Sequence, residues 1–301
     1  MIDQKLLTLL AVDECKSFSK AGKVLGLTQP AVSNHIKELE KEFNVKLFIR
    51  TYDGLKTTNE GKIAIQYAKR IKSMYSQFNS AINNAIKNIL MVNIGVTHTA
   101  ESSFVIEALA KYANEKAGLR ITFITDTIKK LYDHLSDYSI DLAILEGHNY
   151  DKRFSSLLLD TDSLLLAVSP DNKLSALTSV TLDQVRKEKM IVRGPNSGTR
   201  QLFESSLAGL GLSLDDFDVN IQSDSIATIK DLVKKNVGVS VLAKSTCLNE
   251  EKKNRICLIP IEGLPMIREV NLVYSPDYEN KEVLIDIVKA YKAEAKKMIL
   301  V

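Results

Sequence analysis

Ser17-Phe-Ser-Lys-Ala-Gly-Lys-Val-Leu-Gly-Leu-Thr-Gln-Pro-Ala-Val-Ser-Asn-His-Ile-Lys-Glu-Leu-Glu40 is the stretch from which the rest of the chain can be read. Ala21, Val24 and Leu25 follow helical spacing, and Gly26 is a C-terminal stop for that short helix. Thr28 is placed to cap a second helix, with Pro30 tolerated in its first turn and Val32, Ile36, Leu39 and Phe43 as its buried face. Upstream, Leu6, Leu9 and Leu10 form the stripe of a preceding helix. Helix, short turn, helix is the geometry that inserts the second helix into the major groove of DNA. At about 100° per residue, the face opposite Val32 and Ile36 presents Pro30, Ser33, Asn34 and Lys37, with Gln29 at its N-terminal end. Asn and Gln can bond adenine through two hydrogen bonds, Ser is permissive, and Lys reaches guanine or phosphate. Ordinary amphipathic helices also have a polar outer face, so the pattern alone leaves both readings open.

Downstream, Leu47–Thr57 reads as a hairpin turning at Asp53-Gly54, and Thr57-x-x-Glu60 fits the start of a long helix. Residues 58–89 contain no proline and a single glycine. Ala64, Tyr67, Ile71, Met74, Phe78, Ala81 and Ala85 alternate spacings of three and four, the a/d seam of a pairing helix. The alternative is a helix lying on its own domain. The unbroken run favours self-association through Tyr67, Ile71, Met74 and Phe78.

The 301 residues carry a net charge of +3, which by itself argues little for nucleic acid. Placement changes that. Residues 1–90 hold 14 Lys and Arg against 8 Asp and Glu, a balance of +6, while the remainder holds 26 against 29, a balance of −3. A basic first third is where nucleic-acid contacts are to be sought. The length suggests about two domains, and 45% hydrophobic residues exclude disorder and disulfide scaffolds. No apolar run is long enough to span a membrane. Leu6–Val12 is a poor export signal, preceded by Asp3 and followed by Asp13 and Glu14. With Cys15, Cys247 and Cys257 as the whole cysteine complement, this predicts a reducing, cytoplasmic setting.

The Ser17–Glu40 string resembles the winged helix-turn-helix of LysR-type transcriptional regulators. Leu47-Phe-Ile-Arg50 and Thr58-Asn-Glu-Gly61 resemble the wing and linker-helix start of the same family. Gly22 departs from it, standing where the family usually has a second alanine. The resemblance implies an α/β chain with a winged helix-turn-helix over 1–57, a linker helix over 58–89 and a two-lobed, periplasmic-binding-protein-like effector domain over 90–301. Lobe I would comprise 90–160 and 267–301, and lobe II 161–266. It further implies that Gln29, Pro30, Ser33, Asn34 and Lys37 approach bases or nearby backbone, with Arg50, Thr51 and Lys56 on the wing. For Lys56, a solvated hairpin charge is an equal alternative. The expected partners are a palindromic double-stranded DNA site, a second copy of the chain as dimer or tetramer, a small-molecule effector and, as a further contact, RNA polymerase. No membrane, cofactor or metal is expected.

After residue 90, strands alternate with helices, a pattern that argues for parallel α/β layers. The strand candidates are 91–96, 120–124, 141–145, 164–168, 190–192, 219–222, 239–242 and 270–274. Three strand-to-helix junctions carry hydroxyls: Val96-Thr-His-Thr-Ala100, Ile124-Thr-Asp-Thr127 and Arg193-Gly-Pro-Asn-Ser-Gly-Thr-Arg200. Ligands of open α/β sheets bind at such junctions, where helix N-termini favour anions. The Ser-Gly-Thr-Arg turn resembles that of family members sensing small oxyanions or phosphorylated and carboxylated metabolites. Thr97, Thr99, Thr125, Ser197 and Thr199 are therefore expected to hold a small anion, with Arg193 or Arg200 nearby. Plain helix capping is the alternative reading of these hydroxyls, and Asp126 would oppose an anion if it pointed inward.

Other functions fit less well. The four histidines show no metal-ligand spacing, and there is no nucleophile elbow or P-loop. A transport protein would share the C-terminal architecture without the first 60 residues. A redox sensor would need a reactive pair from Cys247 and Cys257, whereas unpaired cysteines are more often buried core.

Overall fold

The computed structural model describes residues 2–52, 54–149 and 151–299, and the Asp53 half of the expected hairpin turn lies outside them. The chain divides between Leu90 and Met91, with Ser136–Ser139 grouped with the first unit.

The first unit opens with α1 (Gln4–Cys15), α2 (Phe18–Leu25) and α3 (Gln29–Phe43). Each start has its cap: Asp3, Ser17 and Thr28 accept from the backbone N–H of Lys5, Lys20 and Ala31. Gly26 closes α2 in the left-handed conformation at φ 67°, where a side chain would be strained. Leu9, Val12, Ala21, Val32, Ile36, Leu39 and Leu47 form one core, and each large apolar side chain so buried contributes about 2 kcal/mol.

Two expected core positions turn outward. Val24 is 70% exposed and Phe43 is 48% exposed. The face of α2 that packs is instead Ala21 with Gly22, because the turn folds back on it. A Cβ on Gly22 would stand 2.7 Å from the Leu27 carbonyl oxygen. The glycine that costs about 1 kcal/mol of helix propensity thus permits this close turn.

Strands β1 (Phe48–Thr51) and β2 (Gly54–Thr57) pair antiparallel, Phe48 opposite Thr57 and Arg50 opposite Leu55. The long α4 (Asn59–Ala85) starts one residue later than Thr57-x-x-Glu60 implied. Thr58 is its cap, accepting from Gly61 N, while the Thr57 hydroxyl donates to Asp13. Ile65 and Ala68 enter the domain core with Ala64 packed against it, so Ala64 belongs to this core rather than to a seam. Beyond that turn Tyr67, Ile71, Met74, Phe78 and Ile82 stand exposed along one stripe, with Phe78 at 58%.

The second unit runs β3 (Leu90–Val96), α5 (His98–Glu101), α6 (Val105–Glu115), β4 (Leu119–Thr125), α7 (Ile128–Ser136), β5 (Leu142–Glu146) and the long β6 (Ser155–Val168). It continues through α8 (Leu182–Val185), β7 (Lys189–Arg193), α9 (Gly198–Ala208), β8 (Asp218–Ser223), α10 (Ile226–Lys234), β9 (Ser240–Ala243) and α11 (Lys244–Lys252). It ends with β10 (Cys257–Ile259), β11 (Ile267–Tyr274) and α12 (Lys281–Ile299).

The layers are mixed rather than parallel throughout. Strands β3 and β5 run parallel, as do β7 and β8, but β11 is antiparallel to both β5 and β6. Among the described residues the main sheet follows the order β10-β6-β11-β5-β3-β4, with β9 also on β6. Strand β6 serves two halves. Its residues up to Ser163 pair with β11, and from Leu164 onward it pairs with β9 and β10. Strand β7 joins the second half through a parallel bridge from Met190 to Val239. Each half has its own core, one around Leu131, Ile140 and Leu145 and the other around Leu166, Met190 and Leu207. Periodicity missed β10 and the first half of β6, since a strand crossing between two cores alternates burial over only part of its length.

Candidate DNA interface and effector cleft

On the N-terminal unit, Gln29, Pro30, Asn34 and Lys37 are exposed on α3 and Ser33 is half-buried. Asn34 Nδ2 donates to Glu38 Oε1 at 2.7 Å. A shallow depression of about 260 Å³ brings Gln29 together with Arg50 and Thr51 of the hairpin and with Ser17 and Ser19 at the start of α2. Lys56 is exposed one residue before the end of β2. Tyr52, fully exposed beside the hairpin turn, was not singled out from sequence, although an aromatic next to Asp-Gly is a visible signal. His35 is structural, its Nδ1 lying 2.9 Å from the Thr8 hydroxyl.

In the C-terminal unit, the carboxyl ends of β3, β4, β5, β7 and β8 converge on one cavity of about 140 Å³. One wall carries Thr97, Thr99, Asp126 and Glu146; the other carries Arg193, Ser197, Gly198 and Asp224. Of the five expected effector residues, Thr97, Thr99 and Ser197 line it, whereas Thr125 and Thr199 do not. Thr199 is buried alongside, its hydroxyl without a protein partner. Ser197 is the cap residue before α9 but makes no side-chain cap bond, so its hydroxyl is not committed to the helix, and the residue lines the cavity. Thr97 does cap, accepting from Ala100 N at 3.1 Å, and its hydroxyl lies 2.7 Å from each oxygen of Glu146.

The charges are the main feature. Arg193 is 4% exposed, and its Nε and Nη1 make no hydrogen bond to protein. Burial pushes its pKa down, opposed by the carboxylates of Asp224 and Glu146. Arg268 is also buried, and none of its three guanidinium nitrogens is hydrogen-bonded; Nη2 lies 3.8 Å from Asp162 Oδ2. Its Nη1 stands 3.8 Å from where a Cβ on Gly198 would be. Buried guanidinium donors without acceptors are costly, so this is a site with unfilled donor capacity that an anion's oxygens can satisfy. Burial pushes the Glu146 carboxyl above its ordinary range, opposed by Arg268 and the Thr97 hydroxyl. Asp126 does line the cavity. Burial would raise it, but the Thr127 N–H and Lys130 outweigh that and hold it low.

Sequence reasoning named Arg193 only as a neighbour and missed Arg268. Arg268 does not line the cavity but stands behind Gly198, brought close to Glu146 because antiparallel β11 sets Val270 opposite Glu146. That placement needs the topology, not the local string. Arg200 is occupied elsewhere, bonding Glu204, Gln222 and the Arg193 carbonyl. Cys247 is buried with its thiol pushed up to about 11 by burial, and it packs in a different cluster from that contacted by Cys257. A thiol so protonated is unreactive at neutral pH, which argues against redox sensing. Among the described residues no group of three or more metal-ligating side chains occurs, and no helix is long and apolar enough to cross a membrane.

A helix-turn-helix with a hairpin, a long helix and a two-lobed α/β domain whose strand ends surround a polar cleft together define a ligand-responsive DNA-binding regulator. The chain belongs to the LysR family of transcriptional regulators. Residues 4–62 match the bacterial regulatory helix-turn-helix protein, lysR family, and residues 91–295 match the LysR substrate binding domain. It is 31% identical to an uncharacterised HTH-type transcriptional regulator of Methanocaldococcus jannaschii, over 89% of this chain and 90% of that one. It is 26% identical to the HTH-type transcriptional regulator CysL of Bacillus subtilis, over 95% and 96%. The fold is similar to that of full-length CbnR complexed with its target DNA, with a TM-score of 0.68 at 14% identity over 97% and 99% of the two chains. The regulatory domain of Synechocystis CcmR, in complex with 2-PG, matches 67% of this chain and 97% of its own at a TM-score of 0.60 and 16% identity. The protein is thus a DNA-binding transcriptional regulator with an effector-binding domain, and not an enzyme.

Proposed function

We propose that the effector is a small anion bound in the strand-end cleft. The observation that carries this is the buried Arg193 guanidinium, with Nε and Nη1 lacking any protein acceptor beside a cavity of about 140 Å³. The α9 N-terminus adds backbone N–H groups and the Ser197 hydroxyl, and Arg268 stands behind Gly198. Thr99 supplies a further hydroxyl from the opposite wall. A neighbour in fold whose regulatory domain is in complex with 2-PG supports a small ligand for this architecture. Titration calorimetry of the full chain with a panel of short carboxylates and phosphates tests the reading. Binding that falls at least about tenfold in Arg193→Ala is expected for a lost charge-assisted contact. Exclusive binding of neutral or cationic compounds overturns it.

In the same reading, the cytoplasmic chain pairs through Tyr67, Ile71, Met74 and Phe78 of α4, as a dimer or a tetramer. Two copies of α3 then meet successive major grooves of a palindromic site. Gln29, Pro30, Ser33, Asn34 and Lys37 face bases and nearby backbone, while Arg50, Thr51 and Lys56 track the flanking phosphates or minor groove. Lobe I spans 90–160 with 267–301 and lobe II spans 161–266, so ligand between them shifts whichever arrangement binds it better. RNA polymerase is the further partner through which that shift is read.

A further inference from the structure

The cleft's two walls are chemically unlike. One offers donors: the Arg193 guanidinium, the Ser197 hydroxyl and the N-terminus of α9. The facing wall offers acceptors, chiefly the buried carboxyl of Glu146. Both Glu146 oxygens lie 2.7 Å from the single Thr97 hydroxyl, which has one hydrogen to give. At least one oxygen of a carboxyl that is only 7% exposed therefore retains acceptor capacity beside the cavity. Asp224 adds a second acceptor near Arg193, its carboxyl lying against Gly194 where a Cβ would have to push it aside. A bare anion satisfies the first wall and leaves the remaining acceptor of Glu146 without a donor. The volume of about 140 Å³ within the cleft suits a ligand head of a few heavy atoms, since a space of about 150 Å³ holds one benzene.

We infer that this cleft takes a small bifunctional acid, one anionic head with a hydroxyl or ammonium donor two or three bonds away. The inference rests on the anion reading above. The head lies on Arg193, Ser197 and the start of α9, within reach of Arg268. The donor faces Glu146, and the small cavity of about 140 Å³ that both walls line keeps the separation within the ligand short. A site built around a buried acceptor rejects an analogue lacking the matching donor far more strongly than a difference in volume would explain.

Four near-isosteric probes separate the cases by calorimetry on the full chain: propionate, lactate, alanine and malonate. Lactate or alanine is expected to bind at least about tenfold more tightly than propionate, and which of them prevails tells a hydroxyl from an ammonium. In Glu146→Gln, whose amide oxygen is committed to Thr97, that advantage is expected to shrink to within about threefold while propionate binding holds or improves. Asp224→Asn, an exposed change that leaves the core untouched, serves as the second variant and is expected to weaken alanine more than propionate. Propionate equal to both donor-bearing acids, or malonate tighter than either, overturns the inference and leaves the anion reading standing. Failure of all four to bind in the millimolar range overturns the inference, and the anion reading falls with it only if the phosphates of the wider panel also fail to bind.

Discussion

Asn34 Nδ2 donates to Glu38 Oε1 across 2.7 Å, and Lys5 Nζ holds the same carboxylate through Oε2 at 3.1 Å. The pair lies on the outer face of α3, four residues apart, where i and i+4 side chains meet. One amide hydrogen is committed to Glu38, which fixes the plane of the group. The second hydrogen and the carbonyl oxygen remain for an adenine edge, the two atoms that a bidentate contact uses.

This geometry predicts that Asn34→Ala lowers the preference for a specific over a scrambled operator by about 5- to 150-fold, the worth of one bidentate contact. Glu38→Ala should act in the same direction and less strongly, because it frees the amide without removing it. Lys56→Ala should instead weaken both DNAs alike and make the salt dependence shallower by about one unit of log–log slope. Fluorescence anisotropy at several salt concentrations separates the two. An unchanged specificity ratio in Asn34→Ala removes α3 from base reading.

The exposed stripe of α4 makes a second prediction. Tyr67, Met74 and Phe78 are each more than half exposed, yet they follow the a/d spacing of a two-helix seam. Apolar side chains repeated at that spacing without cover mark an association surface. Phe78→Glu leaves the domain core untouched and places a charge in the seam. Sedimentation should show the variant shifted toward monomer, with its affinity for a palindrome reduced at least about tenfold by the loss of linked half-sites. A variant that stays fully associated would assign the stripe to another role.

How much of this was legible in the sequence varies from residue to residue, and the variation has physical causes. Caps and turns are local chemistry, so Thr28 and Gly26 were readable from spacing, as was the apolar stripe Tyr67, Ile71, Met74 and Phe78 that stands exposed on α4. Phe43 and Val24 were misplaced because helical periodicity gives a stripe but not its limits. The tight Gly22–Leu27 turn moves the buried face of α2 onto Ala21 and Gly22. In the cleft, Thr97, Thr99 and Ser197 were found because strand-to-helix junctions in α/β sheets share one edge. Thr125 and Thr199 belong to the same junctions but do not line the cavity, because which residues of a junction do so is set by the pleat and helix phase at single-residue resolution. Arg268 arrives from a strand more than a hundred residues after Glu146, so only antiparallel pairing reveals it.

Gly61 has a stability consequence. It lies in the first turn of α4 against the chain entering the hairpin, and a Cβ there would run into the Leu47 carbonyl, with the Thr57 methyl 2.8 Å away. The neighbour is backbone fixed by two bonds of its own: Thr58 N donates to that carbonyl at 3.0 Å, and the Thr58 hydroxyl also reaches it at 3.2 Å. Alanine would ordinarily gain about 1 kcal/mol in a helix. Here the overlap outweighs that gain, and Gly61→Ala is expected to destabilise the N-terminal unit by about 1–3 kcal/mol. Urea denaturation followed by helical circular dichroism measures it. A variant as stable as the parent would mean the linker entry yields freely.

The last prediction concerns Glu146 and pH. Burial raises this carboxyl above its ordinary value near 4.5, against the pull of Arg268 and the Thr97 hydroxyl. Between 4.5 and the raised value, the folded chain holds a proton that the unfolded chain has lost. Stability linked to this group therefore falls as pH rises through that window, and the whole cost is present above it. Glu146→Gln carries no such titration, yet its amide oxygen can still accept from Thr97. Below pH 4.5 the two proteins should differ little. With increasing pH the variant should gain on the parent, and the difference should level off once the parent's carboxyl is fully ionised. Thermal melts in ligand-free buffer from pH 4 to pH 8 report the difference directly, since every other titrating group is shared. If the parent gains on the variant as pH rises, the Glu146 carboxylate is instead stabilised by Arg193 and Arg268, and the cleft holds a closed ion cluster.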